Sequence, residues 1–145
     1  MIVIATISVF SVAKCSLVEI PLFTGISAGF PSPANDYLEE AIDLNKTLIR
    51  NPASTFFGRV KGLSMCDAGI DDDDILIVDK SIAPRHGMLA VCCIDGEFTL
   101  KQISYSKSGS IVLLPANPKY KPIVVTSEND FLIWGIVTYV IKKML

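Results

Sequence analysis

From Ser54 onward, apolar residues come in short runs broken by Gly, Pro, Asp and Ser, the texture of strands and turns rather than of helices. The runs predict strands over 54–63, 75–79, 88–94, 97–104, 110–115, 122–126 and 131–142. Asp95-Gly96, between Ala90-Val91-Cys92-Cys93-Ile94 and Phe98-Thr99-Leu100, is a strong hairpin signal, because both turn residues tolerate the positive φ of a type I′ turn. Upstream the pattern changes. Residues 21–35 (PLFTGISAGFPSPAN) have no sustained period and read as a linker or exposed loop, where proteolysis normally strikes. A helical segment follows, opened by Ser32, Pro33 or Asn35, with Leu38, Ala41, Ile42, Leu48 and Ile49 on one rough stripe and Asn51-Pro52 as its stop. The pattern as a whole predicts a mostly β, compact domain, barrel-like or sandwich-like, with an extended N-terminal arm and little helix.

Composition narrows this picture. Half of the 145 residues are hydrophobic and 19% are charged, enough apolar material for one packed domain and too little chain for two full ones. A net charge of −2 gives no basic face for gripping DNA by counterion release, so no direct specific DNA binding is expected. The four cysteines (Cys15, Cys66, Cys92, Cys93) form no CxxC pair and there is one histidine, His86, so neither a zinc site nor any other metal or cofactor is expected. Free thiols in a reduced, cytoplasmic protein are the simplest reading. Met1–Ala13 is apolar but carries no basic residue ahead of the apolar run, as a secretory signal would, and is shorter than the ~20 residues of a membrane helix. A strand or docking arm suits its β-branched content; a membrane anchor is the open alternative.

Several chemistries are excluded. His86 lies in a Pro-Arg-His-Gly turn and is a poor base for a Ser–His–Asp triad. The nine glycines form neither GxxxxGK[ST] nor GxGxxG. The acid run Asp71–Asp74 lacks the alternation and late glutamate of an EF-hand and reads as a solvated turn. What remains is a serine activated by a lysine. Such a pair needs a neutral lysine, hence one buried away from water, a serine within hydrogen-bond reach, and backbone N–H groups facing the oxyanion. Ser64, in Gly62-Leu63-Ser64-Met65, and Lys101, on the second strand of the Asp95-Gly96 hairpin, are the candidates. By pattern alone Ser64 reads as a turn serine. Alternation puts Lys101 opposite Phe98 and Leu100, as a solvated strand lysine.

Longer motifs decide more. Gly62-Leu63-Ser64-Met65, Gly69-Ile70 and Asp72-Asp73-Asp74-Ile75-Leu76-Ile77-Val78-Asp79 resemble the nucleophile segment of the LexA/UmuD self-cleaving peptidases. Asp95-Gly96-Glu97-Phe98-Thr99-Leu100-Lys101 resembles that family's lysine segment. Pro21-Leu22-Phe23, Ala28-Gly29-Phe30-Pro31-Ser32-Pro33-Ala34 and Asp43-Leu44-Asn45 are similar to the cleavage region of its UmuD branch. Leu114-Pro115-Ala116-Asn117, Pro122-Ile123 and Gly135-Ile136-Val137 extend the likeness from about residue 20 to the C-terminus. Two positions depart from it: Leu63 stands where UmuD proteins often have aspartate, and Asp73 where the family usually has glycine.

The resemblance implies Ser64 as nucleophile, Lys101 as general base, the N–H groups of Leu63 and Ser64 as oxyanion donors, and Ala28–Gly29 as the bond cut. It divides the chain into an arm, 1–28, removed by self-cleavage; a linker and short helical segment, 29–50; and a LexA/UmuD-like peptidase β-domain, 51–145. Repressors of the family carry a DNA-binding head before the cut. Here 28 residues precede it, with Lys14 and Glu19 as their charges, so the UmuD-like outcome is expected. That outcome is a homodimer whose cleavage a RecA–single-stranded-DNA filament stimulates, the trimmed form joining a Y-family, UmuC-like polymerase subunit in the SOS response for translesion synthesis. The rivals are a non-catalytic polymerase-binding dimer module and a signal-peptidase-like membrane protease.

Overall fold

In a computed structural model, the structure describes residues 6–11, 20–23, 28, 29 and 38–145. Asn51–Leu145 and the first strand form one compact unit; residues 13–50 form a second. The larger unit is a single antiparallel sheet. Its strands are β1 (Thr6–Ser11), β4 (Thr55–Lys61), β5 (Ile75–Asp79), β6 (Leu89–Ile94), β7 (Glu97–Tyr105), β8 (Ile111–Leu114), β9 (Ile123–Val124) and β10 (Phe131–Ile141). They lie in the order β1-β4-β5-β10-β6-β7-β8-β9. The expected mostly β domain is what forms, and each strand predicted after Ser54 is present, β5 with the expected ends and the others with one or both ends shifted by a residue or two. β1 falls within the apolar first residues, in antiparallel register with β4 from Thr6↔Lys61 to Ser11↔Phe56.

β10 is the keystone, pairing β5 on one side and β6 on the other. It slips register between Ile133 and Gly135 against β6, and between Val137 and Tyr139 against β5, which bends an eleven-residue strand. Gly135 is required there: a Cβ would lie 2.5 Å from Val78 Cγ1. The hairpin between β6 and β7 turns on Asp95 and Gly96, with φ of 49° and 82°, as the type I′ reading expects. Both faces of this hairpin are buried. Val91 and Leu100 pack with Val60, Met65, Leu76 and Val78, while Ala90, Cys92 and Ile103 pack with Leu113 and Ile136 on the other side.

The smaller unit corrects one expectation. Leu38–Ile42, read as the start of a helix, is strand β3, paired antiparallel with β2 (Ile20–Phe23). Helix α1 is confined to Leu44–Leu48, where Asp43 caps it by accepting a hydrogen bond from the Asn45 N–H at 3.0 Å. Leu38, Glu39, Glu40 and Ala41 are good helix formers, but backbone pairing with β2 outweighs that weak preference. The candidate openers Ser32, Pro33 and Asn35 lie outside the described residues. Among the described residues no helix is long and apolar enough to cross a membrane.

Candidate active site

β4 ends at Lys61, and Gly62, at φ 99°, swings the chain into a turn that carries Leu63 and Ser64. A short 3-10 turn, Cys66–Ala68, follows and is closed by Gly69 at φ 77°. The acidic turn buttresses this loop. Asp72 accepts the Gly62 N–H at 2.8 Å, Asp73 pairs with Arg59, and buried Asp74 accepts from the Asp71 N–H and from Lys142. The expectation of a merely solvated turn is therefore incomplete, since Asp74 is buried and bonded. Asp73 has φ 71°, which explains why glycine would suit that position and why aspartate is tolerated. Among the described residues no cluster of His, Cys, Asp and Glu could hold a metal ion.

Lys101 sits at the middle of β7, opposite Ala90 on β6. It is 2% exposed, which overturns the solvated reading that alternation suggested. The alternation itself holds, but β7 is covered on both faces. The fold brings Lys101 and Ser64, 37 positions apart, into contact: Lys101 Nζ lies 2.9 Å from Ser64 Oγ. The same amine lies 3.0 Å from Thr99 Oγ1 and 3.0 Å from the Leu100 carbonyl. Ser64 and Thr99 are completely buried.

Burial drives the Lys101 amine down from 10.5 to about 8, against a small opposing pull from Cys92. The Cys92 thiol is itself pushed up to about 12, by burial first, with Lys101 pulling the other way, so it stays neutral near the amine. The three acceptors match the needs of both protonation states. An ammonium donates to all three. A neutral amine keeps two N–H bonds, to Thr99 and Leu100, and turns its lone pair toward the Ser64 hydroxyl. That arrangement is able to take a proton from Ser64 as its oxygen attacks a carbonyl carbon.

Leu63 is about half exposed, and among the described residues neither its N–H nor that of Ser64 donates a hydrogen bond. Both are thus available as oxyanion donors. Ala28 and Gly29 are exposed, in the connection between β2 and β3. His86 is exposed and accepts the Tyr105 N–H through Nδ1. Cys66, Cys92 and Cys93 are free thiols. Sequence reasoning missed Thr99; its signal was a hydroxyl two residues before Lys101, and so on the same face of the strand.

A family model described as peptidase S24-like matches residues 21–138, a span that holds Ser64, Thr99 and Lys101. The chain belongs to the peptidase S24-like family. Among its relatives, Protein SamA of Salmonella typhimurium is 44% identical over 124 residues, 85% of this chain and 85% of that protein. Protein ImpA of Escherichia coli is 40% identical over 124 residues, covering 85% and 83%. The LexA repressor of Carboxydothermus hydrogenoformans is 37% identical over 118 residues, 80% of this chain and 57% of the repressor. Membership in a peptidase family makes the buried serine–lysine contact the natural place to look for its chemistry.

Proposed function

We propose that this chain is a serine endopeptidase that cuts its own Ala28–Gly29 bond. Lys101, neutral, takes the Ser64 proton while Ser64 Oγ attacks the Ala28 carbonyl carbon. The oxyanion is held by the N–H groups of Leu63 and Ser64. The Ala28–Gly29 C–N bond then breaks, the Gly29 amine leaving with the proton from Lys101. Water hydrolyses the Ser64 ester of Ala28, with Lys101 again the base. The observation that carries this reading is the buried 2.9 Å contact between Lys101 Nζ and Ser64 Oγ. Small residues on both sides of the bond favour close backbone approach, and both are exposed.

The cut falls after β1 and β2, which are then held without a covalent link, β1 through its ladder with β4 and β2 through its ladder with β3. Cleavage thus changes the surface the protein offers. In keeping with the UmuD-like motifs, the trimmed form acts in the cytoplasm as a homodimeric accessory subunit of an error-prone, Y-family translesion polymerase, with a RecA–single-stranded-DNA filament as stimulus. Incubation of the full chain with RecA, ATP and single-stranded DNA is expected to yield a fragment beginning at Gly29. Ser64→Ala and Lys101→Ala are expected to remain whole. A new N-terminus elsewhere overturns the site, and cleavage by Lys101→Ala overturns the base.

A further inference from the structure

The nucleophile loop is gripped from one side by the chain just after β8. The Ala116 N–H donates to the Ser64 carbonyl at 2.8 Å, and the Ala116 carbonyl accepts the Asp67 N–H at 2.7 Å. Asn117 adds a side-chain clamp: its Nδ2 donates to the Leu63 carbonyl at 2.9 Å across 54 positions of sequence. The amide cannot flip without loss, because Asn117 Oδ1 accepts the Lys119 N–H at 3.0 Å. The Leu63 carbonyl has a second donor, the Cys66 N–H, at a longer 3.2 Å.

The Leu63 carbonyl and the Ser64 N–H belong to one peptide unit. That unit is planar and trans, so the two groups point in opposite directions and turn together. Fixing the carbonyl therefore fixes the aim of the N–H. We propose that Asn117 is a positioning residue: by holding the Leu63 carbonyl it directs the Ser64 N–H at the oxyanion. It touches neither the serine hydroxyl nor the lysine amine, and acts only through the peptide. Its effect belongs to the transition state, where negative charge develops on the carbonyl oxygen.

This inference rests on Ser64 being the nucleophile, and its test separates the two claims. Self-cleavage of the full chain is followed from pH 6 to 10 for the parent, Asn117→Ala, Asn117→Asp and Ser64→Ala, alongside thermal melts. Removing an oxyanion donor outright costs about 100- to 1,000-fold. Asn117→Ala leaves the donor but loosens it, and is expected to lower the high-pH plateau by about tenfold or more while its inflection stays with the parent's. A merely structural loosening would admit water to Lys101 and move that inflection upward. Asn117→Asp keeps the bond from Lys119 and the turn it closes, so it reports even if the alanine variant fails to fold. It sets a carboxylate against the Leu63 carbonyl and is expected to cut more slowly than the alanine variant. A parent-like plateau in either variant, or a loss expressed as a shifted inflection, overturns the role of Asn117. Cleavage by Ser64→Ala instead overturns the nucleophile on which it rests.

Discussion

The proposed self-cleavage takes its expected pH dependence from the burial of Lys101. With the amine at about 8, about 9% is neutral at pH 7 and about 91% at pH 9, so the rate rises about tenfold over that range and then levels off. A solvated lysine at 10.5 would be about 0.03% neutral at pH 7, and its rate would climb about 100-fold to pH 9 without a plateau. Burial thus supplies about 300 times more active base at pH 7, comparable to the 100- to 10,000-fold typical of a positioned general base. The assay is the first-order disappearance of the full chain from pH 6 to 10, read by mass spectrometry of the fragment beginning at Gly29. A logarithmic slope near one below pH 7, about one half at pH 8 and a nearly flat line beyond pH 9 are expected. A slope that persists through pH 10 would refute the depressed amine. A rate already flat at pH 6 would refute lysine as the base.

The same burial affects stability. Below pH 8 the unfolded chain holds a proton on Lys101 freely, while the folded chain holds it at a cost of up to about 3 kcal/mol; the deficit shrinks between pH 8 and 10.5 as the unfolded amine also loses its proton. Urea melts of Lys101→Met should lack this rise with pH, and an equal rise in both proteins would count against it. Asp79 works in the opposite sense. Burial alone would raise its carboxyl, but hydrogen bonds from Ser81, Asn51 and Ser54 overcome this and hold it at about 2, below the ordinary 3.8. Its contribution, about 1–2 kcal/mol after allowance for screening, is present above pH 4 and is lost as pH falls through 2. Acid titration of Asp79→Asn should show that loss missing, and an unchanged acid limb would remove Asp79 as its source. Gly135→Ala forces a methyl into Val78 and should cost about 1–3 kcal/mol in a denaturant melt; a neutral result would mean that β10 moves freely at its bulge.

The elements most legible in the sequence were those specified locally. Asp95-Gly96 announces its hairpin because few residue pairs accept positive φ at both central positions. The strands after Ser54 are short apolar runs between turn residues, and pairing only confirms what each prefers alone. Leu38–Ile42 was misread because its residues favour a helix and the strand that overrides them lies across an intervening loop. Asn117 lies within a family motif, but no local rule gives it a role, since its partner carbonyl is 54 positions away. Motif likeness brought Ser64 and Lys101 together on paper, whereas their 2.9 Å contact depends on the β6–β7 register and on a loop held by Asp72 and Ala116.

Lys101 is the least legible residue of the site for a physical reason. Alternation rules assume that one face of a strand meets water, and they assign a lysine to that face by default. β7 has no such face at this point: Leu100 is fully buried on one side and Lys101 nearly so on the other. Knowledge of the partner strand would have reversed the assignment. Across the ladder Lys101 faces Ala90, and Thr99 faces Cys92, whose thiol stays neutral; neither can balance a charge. A lysine enclosed by such neighbours either keeps its proton at a cost to folding or gives it up near neutral pH. Only the second alternative yields a base, and it requires the very burial that local rules forbid. The residue that breaks the strand pattern is therefore the one on which the proposed chemistry turns.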